Sequence, residues 1–124
     1  MTYFQRLFKL TTTCVDTADG TVEVYPECLS AKLGEDVHIT CTTPSQHDVE
    51  WDFKSNGSLS RITICSEGAV SREVIHKYTC KREQTAHTLT INNVSFNDSG
   101  TYTCTERDGR GPAVDSASLS VTRK

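Results

Sequence analysis

Six cysteines, at positions 14, 28, 41, 65, 80 and 104, are spread along a chain of 124 residues. An even number of cysteines in so short a chain points to an oxidising compartment and to covalent cross-links as part of the fold. Hydrophobic residues make up 35% of the sequence and aromatics 7%, so the core is lean and disulfides are expected to supplement its packing. The length suits one domain and is too short for two ordinary ones. Three N-x-[S/T] sequons, at Asn56, Asn93 and Asn97, agree with a secretory route, where glycans are added.

The net charge is -3, with acids and bases interspersed. Lys and Arg form no run of the kind that tracks a phosphate backbone, so no nucleic-acid partner is expected. No window approaches the roughly 20 apolar residues that cross a bilayer, and any membrane attachment is expected through segments not in this chain. At the N-terminus, Phe4, Leu7 and Phe8 fall at helical spacing, but ten residues are marginal for a lone helix. Arg6 and Lys9 interrupt what would be the apolar centre of a signal peptide. Residues 1–20 are therefore expected to be an extension, with Met1 opening a mature ectodomain.

From Thr21 onward the period changes to two. Val22-Glu-Val24 reads as a first strand, stopped by Pro26. Gly34-Glu-Asp reads as a turn, after which Val37, Ile39 and Cys41 share one face and His38, Thr40 and Thr42 the other. Residues 43–48 are turn-rich, and Val49, Trp51 and Phe53 then alternate with Glu50 and Asp52, which are expected to stand on the outer face, as are Thr103 and Thr105 further on. Lys54–Ser58 is a second polar turn. Arg61–Cys65 reads as a strand with Ile62 and Ile64 on one face, a short strand is expected near Glu73–His76, and Lys77–Lys81 is another. Thr88–Ile91 alternates inward Leu89 and Ile91 with outward Thr88 and Thr90, and Val94 also points inward. Thr101–Thr105 and Ser116–Val121 are the last two strands, joined by a polar, Gly-rich loop over Glu106–Asp115.

Asp98-Ser-Gly-Thr-Tyr-Thr-Cys104, with Cys41 and Trp51 upstream, resembles the fingerprint of an immunoglobulin variable-type domain. The resemblance covers about residues 21–122, with 123–124 as a tail. It implies an all-β, immunoglobulin-like two-sheet sandwich of V-type with about nine strands, lettered A to G, because the 62 residues between Cys41 and Cys104 leave room for C′ and C″. It implies a Cys41–Cys104 bridge between the sheets, Trp51 packed against it, and Tyr102 as a tyrosine corner. Asp98 is expected to pair with a base at the start of strand D, for which Lys77 is the candidate. The remaining cysteines allow three pairings. Cys14–Cys28 and Cys65–Cys80 are favoured, the first tethering the N-terminal extension and the second tying C′ to D.

Catalysis finds no support. His38, His47, His76 and His87 are scattered over different segments with no zinc-ligand spacing, and no nucleophile elbow, phosphate loop or dinucleotide motif occurs. Neither metal nor cofactor is expected, and the chain is not expected to be an enzyme. The resemblance instead implies a protein ligand or counter-receptor, met through the B–C, C′–C″ and F–G loops and the GFCC′ face. Arg107, Asp108, Arg110 and Pro112 in the F–G loop, with Gln46 and His47 in the B–C loop, are the expected ligand-binding residues, Arg being favoured at interfaces for its planar fork. Strand G lacks the Phe-Gly-x-Gly bulge of antigen receptors, which argues against their mode of pairing but leaves a weak homodimer through the GFCC′ face. The expected role is the extracellular ligand-binding domain of an immune-type cell-surface receptor. Homophilic adhesion and a secreted recognition protein are the alternatives. The three sequons are expected to lie away from the recognition loops.

Overall fold

The computed structural model describes residues 22–44, 48–66, 69–107 and 112–123. Among the described residues, ten strands form two sheets packed face to face. Glu23–Tyr25 (β1), Val37–Thr42 (β3), Ala86–Ile91 (β8) and Tyr78–Glu83 (β7) make a four-stranded sheet in the order β1-β3-β8-β7. Cys28–Lys32 (β2), Pro112–Thr122 (β10), Gly100–Arg107 (β9), Val49–Ser55 (β4), Ile62–Ser66 (β5) and Ala69–Val70 (β6) make a six-stranded sheet in the order β2-β10-β9-β4-β5-β6. Pro26, which has no N–H to give a ladder, stands where the chain leaves one sheet for the other. Beyond it, β2 pairs in parallel with β10 while every other pairing is antiparallel.

Period-two alternation dictates the core. Val37, Ile39 and Cys41 from β3, Leu89 and Ile91 from β8, and Trp51 and Phe53 from β4 are buried against Tyr102, Cys104, Ala117, Leu119 and Val121. Cys41 and Cys104 bridge the sheets at a Cα separation of 6.4 Å, and Trp51 stands directly across the ladder from Cys104. One step along, Phe53 and Tyr102 stack with ring centroids 4.5 Å apart.

Asp98 organises the turn between β8 and β9. Its Oδ2 accepts the Ser95 backbone N–H at 2.8 Å and the Ser95 hydroxyl at 3.3 Å, which closes a capping box around the 3-10 turn Phe96–Asp98. The same oxygen lies 2.7 Å from Lys77 Nζ, and the Tyr102 hydroxyl donates to the Asp98 carbonyl at 2.7 Å. Burial and the nearby Asp98 push the Tyr78 phenol up to about 12, and burial holds that of Tyr102 higher still. Both hydroxyls therefore stay protonated as donors across the physiological range. Tyr102→Phe leaves the Asp98 carbonyl without its donor and is expected to cost about 1 to 2 kcal/mol in denaturant unfolding, with an unchanged m-value.

Four expectations need correction. The strand expected near Glu73–His76 is a 3-10 turn at Arg72–Val74, and the edge strand is β6, Ala69–Val70. Its two residues pair with Cys65 and Ser66. Ile62 is not buried with Ile64: a register shift between Trp51 and Asp52 brings Ile64 and Cys65 both inside, at 0% and 1% exposure, while Ile62, opposite Phe53 in the ladder, is 44% exposed. Glu50 and Asp52 do not both stand free on the outer face, because Asp52, Thr103 and Thr105 are buried in the middle of a six-stranded sheet. Finally, Glu106–Asp115 is not a ten-residue loop. The ladder continues through Asp115↔Cys104, Val114↔Thr105, Ala113↔Glu106 and Pro112↔Arg107, so residues 108–111 alone connect the strands.

Candidate functional site

The register of the strands fixes which segments meet at each end of the sandwich. At one end, Val49 faces Glu106 across the β4–β9 ladder, so the start of β4 lies beside the last rungs of the β9–β10 ladder. The Thr43 N–H donates to the Thr85 carbonyl at 3.0 Å, and Arg82 Nη1 donates to Asp48 Oδ1 at 2.6 Å. Thr43, Asp48, the β7–β8 turn and the last rungs of the β9–β10 ladder therefore lie at one end of the sandwich. Of the expected binding residues, Arg107 and Pro112 pair with each other at the end of the ladder. Gln46, His47, Asp108 and Arg110 lie outside the described residues.

At the opposite end, Ser55 faces Gly100 and the Asn56 N–H donates to the Ser99 carbonyl at 3.2 Å. Asn97 belongs to the adjoining 3-10 turn. The Asn93 N–H donates to Asp36 Oδ1 at 2.8 Å, and Lys77 Nζ donates to the Asn93 carbonyl at 2.9 Å. All three asparagines are exposed. The sandwich thus carries its sequon asparagines at one pole and the Arg107↔Pro112 end of the β9–β10 ladder at the other.

Two buried acids went unread in the sequence. Glu106 is 1% exposed and Asp115 2% exposed, and Asp115 Oδ2 accepts the Val24 N–H at 2.7 Å, fastening β1 to β10. A signal existed: counting by twos from Tyr102 through Cys104 reaches Glu106, and from Leu119 through Ala117 reaches Asp115. Polarity suggested a loop where alternation predicts strand. Beneath the same end lies His87, 5% exposed, whose pKa is lowered by burial first and by the Arg82 charge second, with Asp48 and Glu106 acting the other way.

Cys65 and Cys80 are bonded to each other with 15 residues of separation, tying β5 to β7. Cys28 is also disulfide-bonded; Cys14 lies outside the described residues. With these pieces placed, the comparison with known families becomes interpretable: the model of the immunoglobulin V-set domain matches residues 24–122. The chain belongs to the immunoglobulin V-set family. V-set domains are in general non-enzymatic, typically extracellular modules that bind protein partners. Among the described residues of this V-set domain, no three His, Cys, Asp or Glu side chains converge as a metal site. Nor is any described helix long and apolar enough to cross a membrane.

The lowered His87 pKa gives a pH dependence to this V-set domain. The unfolded chain binds a proton at His87 near the ordinary value of 6.5, whereas the folded chain binds it only at lower pH. The unfolded state therefore holds more protons in that window, and stability falls as pH drops below 6.5 until the folded pKa is passed. The wild type is expected to lose stability relative to His87→Gln between about pH 7.5 and about pH 5, by at most about 1.4 kcal/mol per pH unit. Urea unfolding of both proteins at the two pH values checks this. Parallel loss in the two would contradict it.

Proposed function

We propose that this domain recognises a protein ligand or counter-receptor through the pole where Thr43, Asp48 and the Arg107↔Pro112 rung lie, as the ectodomain of an immune-type cell-surface receptor. The observation that carries this reading is the polarity of the sandwich. The exposed Asn56 is joined by its backbone to Ser99, beside Asn97 and across from the hairpin. Glycans at Asn56, Asn93 and Asn97 would shield that pole and leave the other one open. Arg107, Asp108, Arg110 and Pro112, with Gln46 and His47, are the residues proposed to meet the ligand. Arg107 stands at the last rung of a ladder whose rigid strands hold it in place.

A screen of the domain against an array of cell-surface proteins tests the proposal. Arg107→Ala with Arg110→Ala is expected to weaken the ligands found by at least about tenfold, in keeping with Arg as an interface anchor. Substitutions of all three sequon asparagines by Gln are expected to leave binding unchanged. Undiminished binding by the arginine variants to every ligand found would overturn the assignment.

One observation favours a second reading, homophilic contact through the outer face of the six-stranded sheet. Val114 is 41% exposed on that face, opposite Thr105 in the ladder. Sedimentation over a concentration series separates the readings. A dimer weakened by Val114→Lys supports adhesion, and a monomer up to millimolar concentration removes it. Surface labelling of cells that express the protein distinguishes a membrane receptor from a secreted one.

A further inference from the structure

Strand β4 runs through the middle of the six-stranded sheet, with β9 on one side and β5 on the other. Against β9 its register is regular, so alternation turns Trp51 and Phe53 into the core and Glu50, Asp52 and Lys54 to the outer face. That row reads acid, acid, base. The neighbouring strands add no charge at its centre, because Asp52 lies between Thr103 of β9 and Thr63 of β5, and Thr103 Oγ1 hydrogen-bonds with Ser116 Oγ at 3.2 Å. Arg61, exposed and directly before β5, stands beside the basic end of the row, since the next residue, Ile62, is opposite Phe53.

Asp52 is 7% exposed, yet its carboxylate makes no hydrogen bond or ion pair with any described group. Its oxygens are not sealed from solvent, as the unpartnered Trp51 Nε1 and His87 Nε2 are. A recessed carboxylate without a counter-charge bears a desolvation cost, which a cation placed against it offsets. Lys54 is half-buried and likewise unpaired, although its Cα lies only two residues along the strand from that of Asp52, roughly 7 Å. Glu50 has an interaction of its own. The unmatched charges of this patch are therefore one acid, Asp52, and two bases, Lys54 and Arg61, to one side of it.

The complement that such a row demands is a base opposite Asp52 and an acid opposite Lys54. The same row turned end for end supplies both, which is the isologous geometry of a two-fold dimer. With the axis lying in the interface and crossing β4 at Phe53, Lys54 of each copy falls over Asp52 of the other. Arg61 falls one strand away, over the neutral Thr63. Lys54 suits a recessed acid, because its four-carbon stem carries a compact ammonium past the rim.

We propose that the outer face of the six-stranded sheet pairs with the same face of a second copy about such an axis, held in register by two reciprocal Asp52–Lys54 ion pairs. This rests on the homophilic reading of that face and gives it a geometry. It does not involve the Arg107↔Pro112 pole.

Sedimentation equilibrium of the whole domain tests the pairing, with near-ultraviolet circular dichroism of the single Trp51 verifying that each variant is folded. Asp52→Lys alone and Lys54→Asp alone each set like charges across the axis and are expected to weaken the dimer at least about tenfold. An equimolar mixture of the two is expected to recover association to within about threefold of wild type, because one chain then carries both bases and the other both acids. Neutral variants give the same answer without placing a lysine in the recess: the losses from Asp52→Asn and Lys54→Gln are expected not to add in the double variant, since each removes the same pair. Asp52→Asn is also expected to leave the monomer at least as resistant to urea, which a structural role for the carboxylate would not allow. Arg61→Ala is expected to weaken the dimer less than Lys54→Ala. A wild type that stays monomeric to millimolar concentration removes this dimer and the homophilic reading together. A dimer weakened by Val114→Lys but untouched by the charge variants keeps that reading and overturns the Asp52–Lys54 register. Failure of two folded charge variants to recover on mixing, additive losses from the neutral variants, or a larger loss from Arg61→Ala than from Lys54→Ala overturns it as well.

Discussion

Gly100→Ala is expected to destabilise the domain by about 3 to 5 kcal/mol, a large share of the roughly 5 to 15 kcal/mol usual for one domain. A Cβ at this position would overlap the Lys54 carbonyl oxygen and would stand 2.8 Å from both Phe53 Cε1 and Ser55 Cα. Two of those three obstacles are backbone, in the central strand β4, and cannot rotate aside. The third belongs to a ring already stacked on Tyr102. Relief would require β4 and β9 to part at the Ser55↔Gly100 rung, next to the Asp98 turn. Guanidinium unfolding of wild type and variant measures the loss; a cost below about 1 kcal/mol would mean that the strands give way more easily than close packing allows.

Replacing Cys41 and Cys104 together by alanine is expected to be the second large loss, about 4 kcal/mol from the entropy of a released loop of 63 residues. Both cysteines are 0% exposed and sit between Ile39, Trp51 and the β8 core residues, so lost packing adds to the figure. The Cys65–Cys80 bridge closes 15 residues at the sheet edge, where the same reasoning gives about 3 kcal/mol. Cys80 is only partly buried, so its removal leaves a smaller hole. The ordering, with the inter-sheet pair costlier, is the sharper test. Thermal unfolding of the two double variants under non-reducing conditions provides it, and the reverse order would contradict it.

How much of this was legible beforehand depends on whether alternation or polarity governed the reading. The resemblance to the variable-type fingerprint placed Trp51 and the Lys77–Asp98 contact, and period-two alternation placed Leu89 and Ile91, because a core position leaves few side chains that fit. Polarity misled at Glu106 and Asp115. Both are charged, yet Asp115 is buried as an acceptor for the backbone of β1. The bulge at Trp51/Asp52 was invisible, since no residue type announces it, and it lets the consecutive residues Ile64 and Cys65 both be buried against period-two alternation. Gly100 was legible as part of a motif without its reason, which lies in how closely β4 passes.

Recognition through the hairpin pole is tested most directly by amide hydrogen exchange on the domain alone and bound to a surface protein captured in the screen. Protection on binding is expected in residues 43–49, 82–88 and 104–114, with 92–100 unchanged, because Val49↔Glu106 and the Thr43–Thr85 bond mark one pole and Asn56–Ser99 the opposite one. Protection confined to residues 92–100, or to the outer face of the four-stranded sheet, would contradict it.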